Sequence, residues 1–254
     1  MDLVLYRVEA GIARITLNRP EKRNALNADV IAALRDTLGR AASDPSVSVV
    51  VITGAGKDFC AGMDLVAFDK ANPEDAVDHL NTARSVAELL LAIRKHPHPV
   101  VAAVHGRALA GGAGIASACD LTLAAESASF GYPEVKVGFV PAMVAALARR
   151  SVTEKRVFEL LATGDSISAR EAQAIGLINR VFPDADFEAS VEAYVRNLAE
   201  RSATALTLTK NLLYQTDGMS LEKAIEAGAQ INAISRTTED AKKGFGTFAK
   251  REKH

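Results

Sequence analysis

The sequence contains no tryptophan and only two cysteines, Cys60 and Cys119, among its 254 residues. Aromatic residues make up 5% of the chain, so a nucleic-acid-binding surface built on base stacking is not expected. Two cysteines cannot form a disulfide framework, which is typical of a protein from a reducing compartment. No apolar run approaches the roughly 20 residues of a bilayer-spanning helix, and the N-terminus lacks the basic-then-apolar order of a secretory signal. These absences predict a cytoplasmic protein that does not bind membranes.

The chain also lacks an excess of charge of either sign. Lys and Arg number 30 and Asp and Glu number 31, which gives a formal net charge of -1 at pH 7. This balance provides no general attraction for nucleic acid or for an anionic membrane. Hydrophobic residues make up 48% and charged residues 24%, a composition typical of a globular protein that can bury a large core.

The hydrophobic pattern divides the chain into two parts. Up to about residue 190, short β-branched runs alternate with amphipathic stretches, which predicts an α/β core. Residues 191–254 show a helical pattern throughout. The elements expected with the clearest boundaries are two strands within Leu3–Leu17, a helix from Asn27 to about Ala42, buried strands over Val47–Thr53, Val100–Val104 and Asp120–Ala124, a helix that ends near Ala118, and a further helix that begins at Pro141.

The C-terminal helices carry many apolar side chains. Two interpretations are open: this surface packs on another subunit, or it covers the core of its own chain. The side chains concerned are Leu206, Leu208, Leu212, Ile225, Ile231 and Ile234.

Two segments rich in small residues are the main candidates for a functional site. They are residues 58–65, Asp-Phe-Cys-Ala-Gly-Met-Asp-Leu, and residues 105–114, which contain four glycines. Glycine at a strand-to-helix junction lets the backbone approach a ligand closely and leaves helix-terminal N–H groups unpaired. If amides from both segments converge, they form an anion hole suited to a thioester carbonyl that becomes an enolate. The alternative is that both segments are close-packing turns.

Other binding motifs are weaker. Gly54-Ala55-Gly56-Lys57 is too short for a phosphate loop, and the stretch Gly112–Ser117 ends in Ser where a dinucleotide fingerprint has Gly or Ala. No cluster of Cys, His and Asp has the spacing of metal ligands, so no metal site is expected.

Five segments, taken in order, resemble the enoyl-CoA hydratase/isomerase (crotonase) family. The resemblance spans essentially the whole chain, and the C-terminal residues 244–253 are similar to the closing helix of that family. The five segments are Lys22–Asn27 (KRNALN), Phe59–Leu65 (FCAGMDL), Gly106–Gly112 (GRALAGG), Ala118–Leu121 (ACDL) and Phe130–Gly138 (FGYPEVKVG).

The resemblance implies a crotonase-like α/β spiral of ββα units with a C-terminal helical trimerisation region. It divides the chain into a core of residues 1–190, which holds the coenzyme A thioester site, and a helical oligomerisation region of residues 191–254. A homotrimer or a dimer of trimers is implied. The partner is an acyl-CoA thioester substrate, and no separate cofactor is implied because coenzyme A enters as part of that substrate.

The resemblance also assigns roles to single residues. The backbone amides of Met63 and Gly111 fall where the family places its oxyanion hole, and Glu134 falls at its second catalytic glutamate. A carboxylate in that position can take or deliver a proton. Further positions match residues that line the coenzyme A site or, for the last two, that reach the coenzyme A of a neighbouring subunit: Lys22, Arg23, Ala61, Asp64, Leu65, Phe248 and Arg251.

Gly114 departs from the family pattern, because two-carboxylate hydratases carry their first catalytic glutamate at this position. We therefore expect Glu134 to act alone, with space at Gly114 for a water or a substrate group. A 2-enoyl-CoA hydratase is the first hypothesis. A 3,2-enoyl-CoA isomerase with Glu134 as sole base is the second, and an acyl-CoA-binding protein without efficient catalysis is the third.

Overall fold

The computed structural model describes residues 2–64 and 75–251. Two groups of predicted site residues are affected by these limits. Leu65 lies outside the described residues, and so do the side chains of Phe248 and Arg251, whose backbone belongs to the last helix. Roles for these three residues therefore stay predictions.

Two β-sheets form the core of the described chain. The larger has six strands in the order β1-β2-β3-β4-β6-β9, and the smaller has three in the order β5-β7-β8. All neighbours in the larger sheet are parallel except the first hairpin. The strands are β1 (Val4–Glu9), β2 (Ile12–Leu17), β3 (Val49–Gly54), β4 (Val100–Val104), β5 (Arg107–Leu109), β6 (Leu121–Ala125), β7 (Ser129–Gly131), β8 (Ser166–Ser168) and β9 (Arg180–Phe182).

From β4 to β7, consecutive strands alternate between the two sheets. β4 lies in the larger sheet and β5 in the smaller, and β6 and β7 repeat the pattern. After β3 the chain likewise passes from the larger sheet to the smaller one, as the parallel bridge between Cys60 and Ala108 of β5 shows. The spiral of ββα units expected from the resemblance is thus present.

Ten helices surround the sheets in the described part of the chain. Several begin at a side-chain cap: Asn27 accepts from the Val30 N–H, and Asp75 accepts from the amides of Val77 and Asp78. The helices are α1 (Ala28–Ser43), α2 (Ala76–Arg94), α3 (Gly111–Ala118), α4 (Ala142–Ala148), α5 (Glu154–Thr163), α6 (Ala169–Ala174), α7 (Phe187–Ala199), α8 (Ala203–Gln215), α9 (Leu221–Thr237) and α10 (Glu239–Arg251).

The longer predicted elements are confirmed, and the shortest strands were not foreseen. The segment 106–110 was expected to be a turn into a helix, yet it contains β5. β7, β8 and β9 are also three residues each, too short to display an alternating pattern. The predicted boundary between residues 190 and 191 falls inside α7, which packs on the larger sheet.

The site predicted from the sequence lies where the chain turns from the larger sheet into the smaller one. β4 is completely buried, and its continuation leads through β5 directly into α3. Among the described helices, none is both long enough and apolar enough to cross a bilayer.

Candidate active site

Residues 60–64 lie between two other backbone segments, which fixes their path. On one side, the Leu26 N–H donates to the Gly62 carbonyl at 2.7 Å and the Asp64 N–H donates to the Leu26 carbonyl at 2.8 Å. On the other side, Cys60 exchanges hydrogen bonds with Arg107 and Leu109, each at 3.0 Å. The segment is therefore held at both ends by main-chain hydrogen bonds.

This pairing determines the direction of the Met63 N–H. The Gly62 carbonyl and the Asp64 N–H, on either side of Met63, both bond Leu26. Since successive backbone groups of an extended chain point to opposite sides, the N–H of Met63 points away from Leu26. It donates to no backbone carbonyl within the described residues. Met63 thus offers a main-chain donor of fixed direction.

The second donor, the N–H of Gly111, lies at the first residue of α3. The first amides of a helix have no partner inside the helix, and among the described residues the Gly111 N–H has none elsewhere. A methyl group added at Gly62 would lie 3.5 Å from the Gly111 nitrogen. Since Met63 follows Gly62 directly, the two predicted donors share one corner of the molecule.

Backbone strain marks the same corner. Ala110, the residue before Gly111, has φ 47° and ψ -119°, a conformation rare for a residue with a Cβ atom. Its N–H donates to the Gly131 carbonyl at 2.9 Å and its carbonyl accepts from the Gly114 N–H at 2.9 Å. These bonds hold the strained turn that orients the start of α3.

Gly112 lets the helix approach the Met63 segment. A Cβ atom at Gly112 would lie 2.2 Å from the Cys60 carbonyl oxygen, so any other residue would push α3 away. The close-packing interpretation and the anion-hole interpretation of these glycines are therefore compatible, since close packing brings the two amides together.

Glu134 is in a short 3₁₀ helix, Pro133–Val137, that follows β7. Its Oε2 atom is buried and has no hydrogen-bond partner among the described residues. Burial raises the pKa of the Glu134 carboxyl, against the smaller lowering effect of a backbone hydrogen bond. A half-buried carboxylate with a raised pKa and an unused oxygen is suited to proton transfer.

Tyr132 lies two residues before Glu134 and is 1% exposed. Its hydroxyl and the Ser117 Oγ are 3.1 Å apart. Burial raises the pKa of Tyr132 to about 12, with a smaller contribution from the charge of Glu134. Tyr132 is therefore neutral at physiological pH and supports the wall behind the carboxylate.

The space expected beside Gly114 is absent. A Cβ atom at Gly114 would lie 2.7 Å from Val144 Cγ1 and 3.7 Å from Leu90 Cδ2, and both side chains are 5% exposed. The expectation that Gly114 leaves room for a water or a substrate group is wrong, because α2 and α4 fill that volume with hydrocarbon. Among the described residues, Glu134 has no second carboxylate at this position.

Three of the predicted coenzyme A residues, Lys22, Arg23 and Ala61, lie next to one another. The Ala61 N–H donates to the Arg23 carbonyl at 3.0 Å, which places the exposed side chains of Lys22 and Arg23 beside it. Arg23 and the buried Asn24 have φ of 52° and 55°. Their left-handed turn presents two adjacent cationic side chains to solvent.

Sequence reasoning missed the polar side chains that hold this region together. Asn24 donates to the carbonyls of Ala55 and Asp58 at 2.9 and 2.7 Å. Arg19 donates to the Ala25 carbonyl at 2.8 Å and to the Asp64 carboxylate at 3.1 Å. Their partners lie far along the chain, so no local spacing signals them.

A cavity of about 1240 Å³ lies elsewhere, on the outer face of the larger sheet. Thr16, Thr53 and Ala103 form part of its floor, and Phe187 and Glu192 of α7 form part of its wall. None of the predicted catalytic residues lines it. In the described residues no group of three metal-ligating side chains converges.

Comparisons with known proteins agree with the geometry. Residues 7–254 match the enoyl-CoA hydratase/isomerase family. A Thermus thermophilus protein provisionally named an enoyl-CoA hydratase is 41% identical over 245 residues, which cover 96% of this chain and 97% of that protein. The 2,3-dehydroadipyl-CoA hydratase of Escherichia coli is 34% identical, with 97% and 95% covered. The crystal structure of an enoyl-CoA hydratase from Mycobacterium smegmatis superposes with a TM-score of 0.95 at 33% identity, over 99% of this chain and 97% of the other.

Proposed function

Because the chain belongs to the enoyl-CoA hydratase/isomerase family, we propose that it is an enzyme that acts on an acyl-CoA thioester through an enolate. The observation that carries this proposal is the shared position, at one corner of the fold, of the Met63 and Gly111 amides, which have no main-chain partner among the described residues. Two N–H donors aimed at one oxygen stabilise the negative charge that a thioester carbonyl acquires.

The preferred reaction is the addition of water to a 2-enoyl-CoA. The Glu134 carboxylate takes a proton from water while the water oxygen bonds to Cβ, and the electrons of the double bond move onto the thioester oxygen held by Met63 and Gly111. Glu134 then returns the proton to Cα, so that one water is added in all. The raised pKa of Glu134 supports both steps, since the group must accept and release a proton near neutral pH. No separate cofactor enters this scheme.

A second candidate reaction is favoured by the packing around Gly114. Val144 and Leu90 exclude a second carboxylate and leave an apolar surface there. A single base suffices for isomerisation of a 3-enoyl-CoA, in which Glu134 removes a proton from C2 and returns it to C4 of the dienolate. The names of the two hydratase relatives favour hydration, and the hydrocarbon wall favours isomerisation.

Parallel assays with 2-enoyl-CoA and 3-enoyl-CoA distinguish the two reactions, because hydration removes and isomerisation creates the conjugated thioester, whose ultraviolet absorbance adds to the constant absorbance of adenine. Loss of absorbance from the 2-enoyl substrate supports hydration. A gain from the 3-enoyl substrate with no subsequent loss supports isomerisation. Tight binding of acyl-CoA without turnover of either would instead support the third hypothesis, a binding protein.

We also propose that the enzyme assembles as a trimer or a dimer of trimers. Five large apolar side chains of α8, α9 and α10 are at least half exposed in the single chain: Leu213, Leu221, Ile225, Ile234 and Phe245. Such a surface is typical of a subunit interface. In that assembly, Lys22, Arg23 and Ala61, with the C-terminal Phe248 and Arg251, would meet coenzyme A.

A further inference from the structure

We propose that Arg19 and Asp64 form a positioning pair for the Met63 amide, so that catalysis depends on an ion pair whose members need not touch the reacting atoms. This inference rests on the proposed function, since it assigns the pair to the oxyanion site. The sequence-based interpretation placed Asp64 among coenzyme A contacts and gave Arg19 no role.

The ion pair is next to the Met63 N–H along the chain. Asp64 follows Met63 in the chain, and its carboxylate accepts from Arg19 Nη2 at 3.1 Å. Both side chains are largely buried, with exposed fractions of 14% for Arg19 and 13% for Asp64. Arg19 also donates through Nη1 to the Ala25 carbonyl at 2.8 Å. One guanidinium therefore ties the chain after Met63 to the chain before Leu26.

The ion pair adds a side-chain contact to the main-chain bonds at Leu26. Residues 62–64 bond Leu26 through the Gly62 carbonyl and the Asp64 N–H, and Asp64 is the last described residue of this segment. The Arg19 guanidinium holds Asp64 in place through its side-chain carboxylate. Because an amide displaced by about 1 Å can cost roughly a hundredfold in rate, loss of the guanidinium is expected to act on turnover.

Arg19 is itself held in place by its own loop. Its backbone N–H donates to the Asn24 side-chain oxygen at 2.9 Å, and its carbonyl accepts from the amides of Lys22 and Asn24 at 2.9 Å each. The planar guanidinium then reaches two acceptors at once, which a lysine ammonium on a flexible stem does poorly. The geometry thus demands arginine rather than any cation.

The test uses the full chain and compares Arg19→Gln, Arg19→Lys and Asp64→Asn with the wild type. We expect Arg19→Gln to lower kcat roughly tenfold to a hundredfold with little change in KM, and Arg19→Lys to recover part of the loss. The second readout is the absorbance of a bound 2,4-dienoyl-CoA. Donors at the thioester oxygen shift that absorbance to longer wavelength, and the shift should shrink in Arg19→Gln.

Arg14→Gln is the matched control. Arg14 is also largely buried, with an exposed fraction of 15%, and it pairs with Glu192 on the far face of the larger sheet. We expect Arg14→Gln to lower the melting temperature while kcat and the absorbance shift stay as in the wild type. Asp64→Asn, which keeps the shape of the side chain, serves if Arg19→Gln does not fold.

The outcomes separate this inference from the proposed function. If the wild type turns over neither enoyl-CoA and shows no shift, the proposed function is wrong. If the wild type shows both, and a folded Arg19→Gln or Asp64→Asn matches it in kcat and in shift, the pair has no positioning role and only this inference is overturned.

Discussion

In the proposed mechanism three residues carry the chemistry, and two of them contribute no side-chain atom to it. Met63 and Gly111 each provide a backbone N–H, while Glu134 provides the carboxylate. The glycine-rich junctions near Met63 and Gly111 are local signals in the sequence, whereas the role of Glu134 was assigned by the resemblance. Arg19 carried no such signal, since its partner Asp64 is 45 residues away in sequence.

Replacement of Glu134 by Gln should separate activity from stability. We expect a rate loss of about 10² to 10⁴ on the better enoyl-CoA substrate, because the proton acceptor is gone. The raised pKa of Glu134 means that folding favours its protonated form, so the ionised group costs stability at any pH above its folded-state pKa. Glu134→Gln should therefore melt at the same or a higher temperature near neutral pH.

Calorimetry and turnover of Glu134→Gln are to be measured together, with Glu200→Gln as the control because Glu200 is exposed at the end of α7. Wild-type activity in Glu134→Gln would show that another group moves the proton.

The burial of His96 leads to a prediction of how the free energy of unfolding depends on pH. Its side chain is 3% exposed, its Nε2 lies 3.2 Å from the Leu38 carbonyl oxygen, and its Nδ1 accepts from the His98 N–H at 3.2 Å. Burial lowers the pKa of His96 from 6.5 to about 4. The unfolded chain takes up a proton first on acidification, so the free energy of unfolding should fall between about pH 6.5 and 4.

The loss attributable to His96 is on the order of 3 kcal/mol, from the size of this shift. Urea denaturation across that pH range measures it. His96→Gln should have a flatter profile, and a profile as steep as that of the wild type would contradict this explanation.

At the scale of elements, length decides what the sequence reveals. α1, the long helices after residue 187 and the buried β4 carry enough side chains to show their period. β5, β7 and β8 have three residues each. The pairing of β5 with β7 depends on the positions at which the preceding strands, β4 and β6, end in the larger sheet. The position of the site at this corner therefore follows from tertiary contacts.

The approach of α3 to the Met63 segment can be disturbed with one methyl group. In Gly112→Ala the new Cβ would lie 2.2 Å from a backbone oxygen, so α3 must move. We expect kcat to fall by roughly tenfold to a hundredfold and the melting temperature to drop. Gly39→Ala in α1 is the control, because a Cβ there meets nothing within 4 Å and alanine favours helix. Equal kcat in both variants would exclude a need for this close approach.

The packing of α3 against α4 predicts a second pair of variants. Gly114→Glu alone should destabilise the protein, because the new side chain would start 2.7 Å from Val144 Cγ1. Adding Val144→Gly opens the volume, and the double variant should hydrate 2-enoyl-CoA faster than the single one. The hydration rates of the two single variants and the double variant are to be compared. A double variant that is no faster than Gly114→Glu would contradict the steric argument.

At the scale of the whole molecule, the hydrophobic pattern predicted an α/β core followed by helical C-terminal residues, and the resemblance added the spiral of ββα units and a trimerisation role for the C-terminal helices. The structure adds the alternation of strands between two sheets, which no periodicity encodes. It also shows that α8 is tied to the core through the largely buried Lys210, which donates to the Asp120 carboxylate at 2.8 Å.

Assembly is expected to fail when the exposed apolar face is charged. Ile225, on α9, is 64% exposed in the single chain, and we expect the proposed trimer interface to bury it. Ile225→Glu should lower the mass measured by light scattering after size-exclusion chromatography. Lys223→Glu, on the same helix and also exposed, should keep the wild-type mass. An unchanged mass for Ile225→Glu would place the interface elsewhere.

The use of main-chain donors at Met63 and Gly111 has a consequence for mutational surveys. Alanine scanning leaves every peptide group in place, so it would delete neither of the two N–H groups that are proposed to hold the charge. Exchange of the peptide N–H for an ester oxygen by chemical synthesis would delete one donor and retain the side chain.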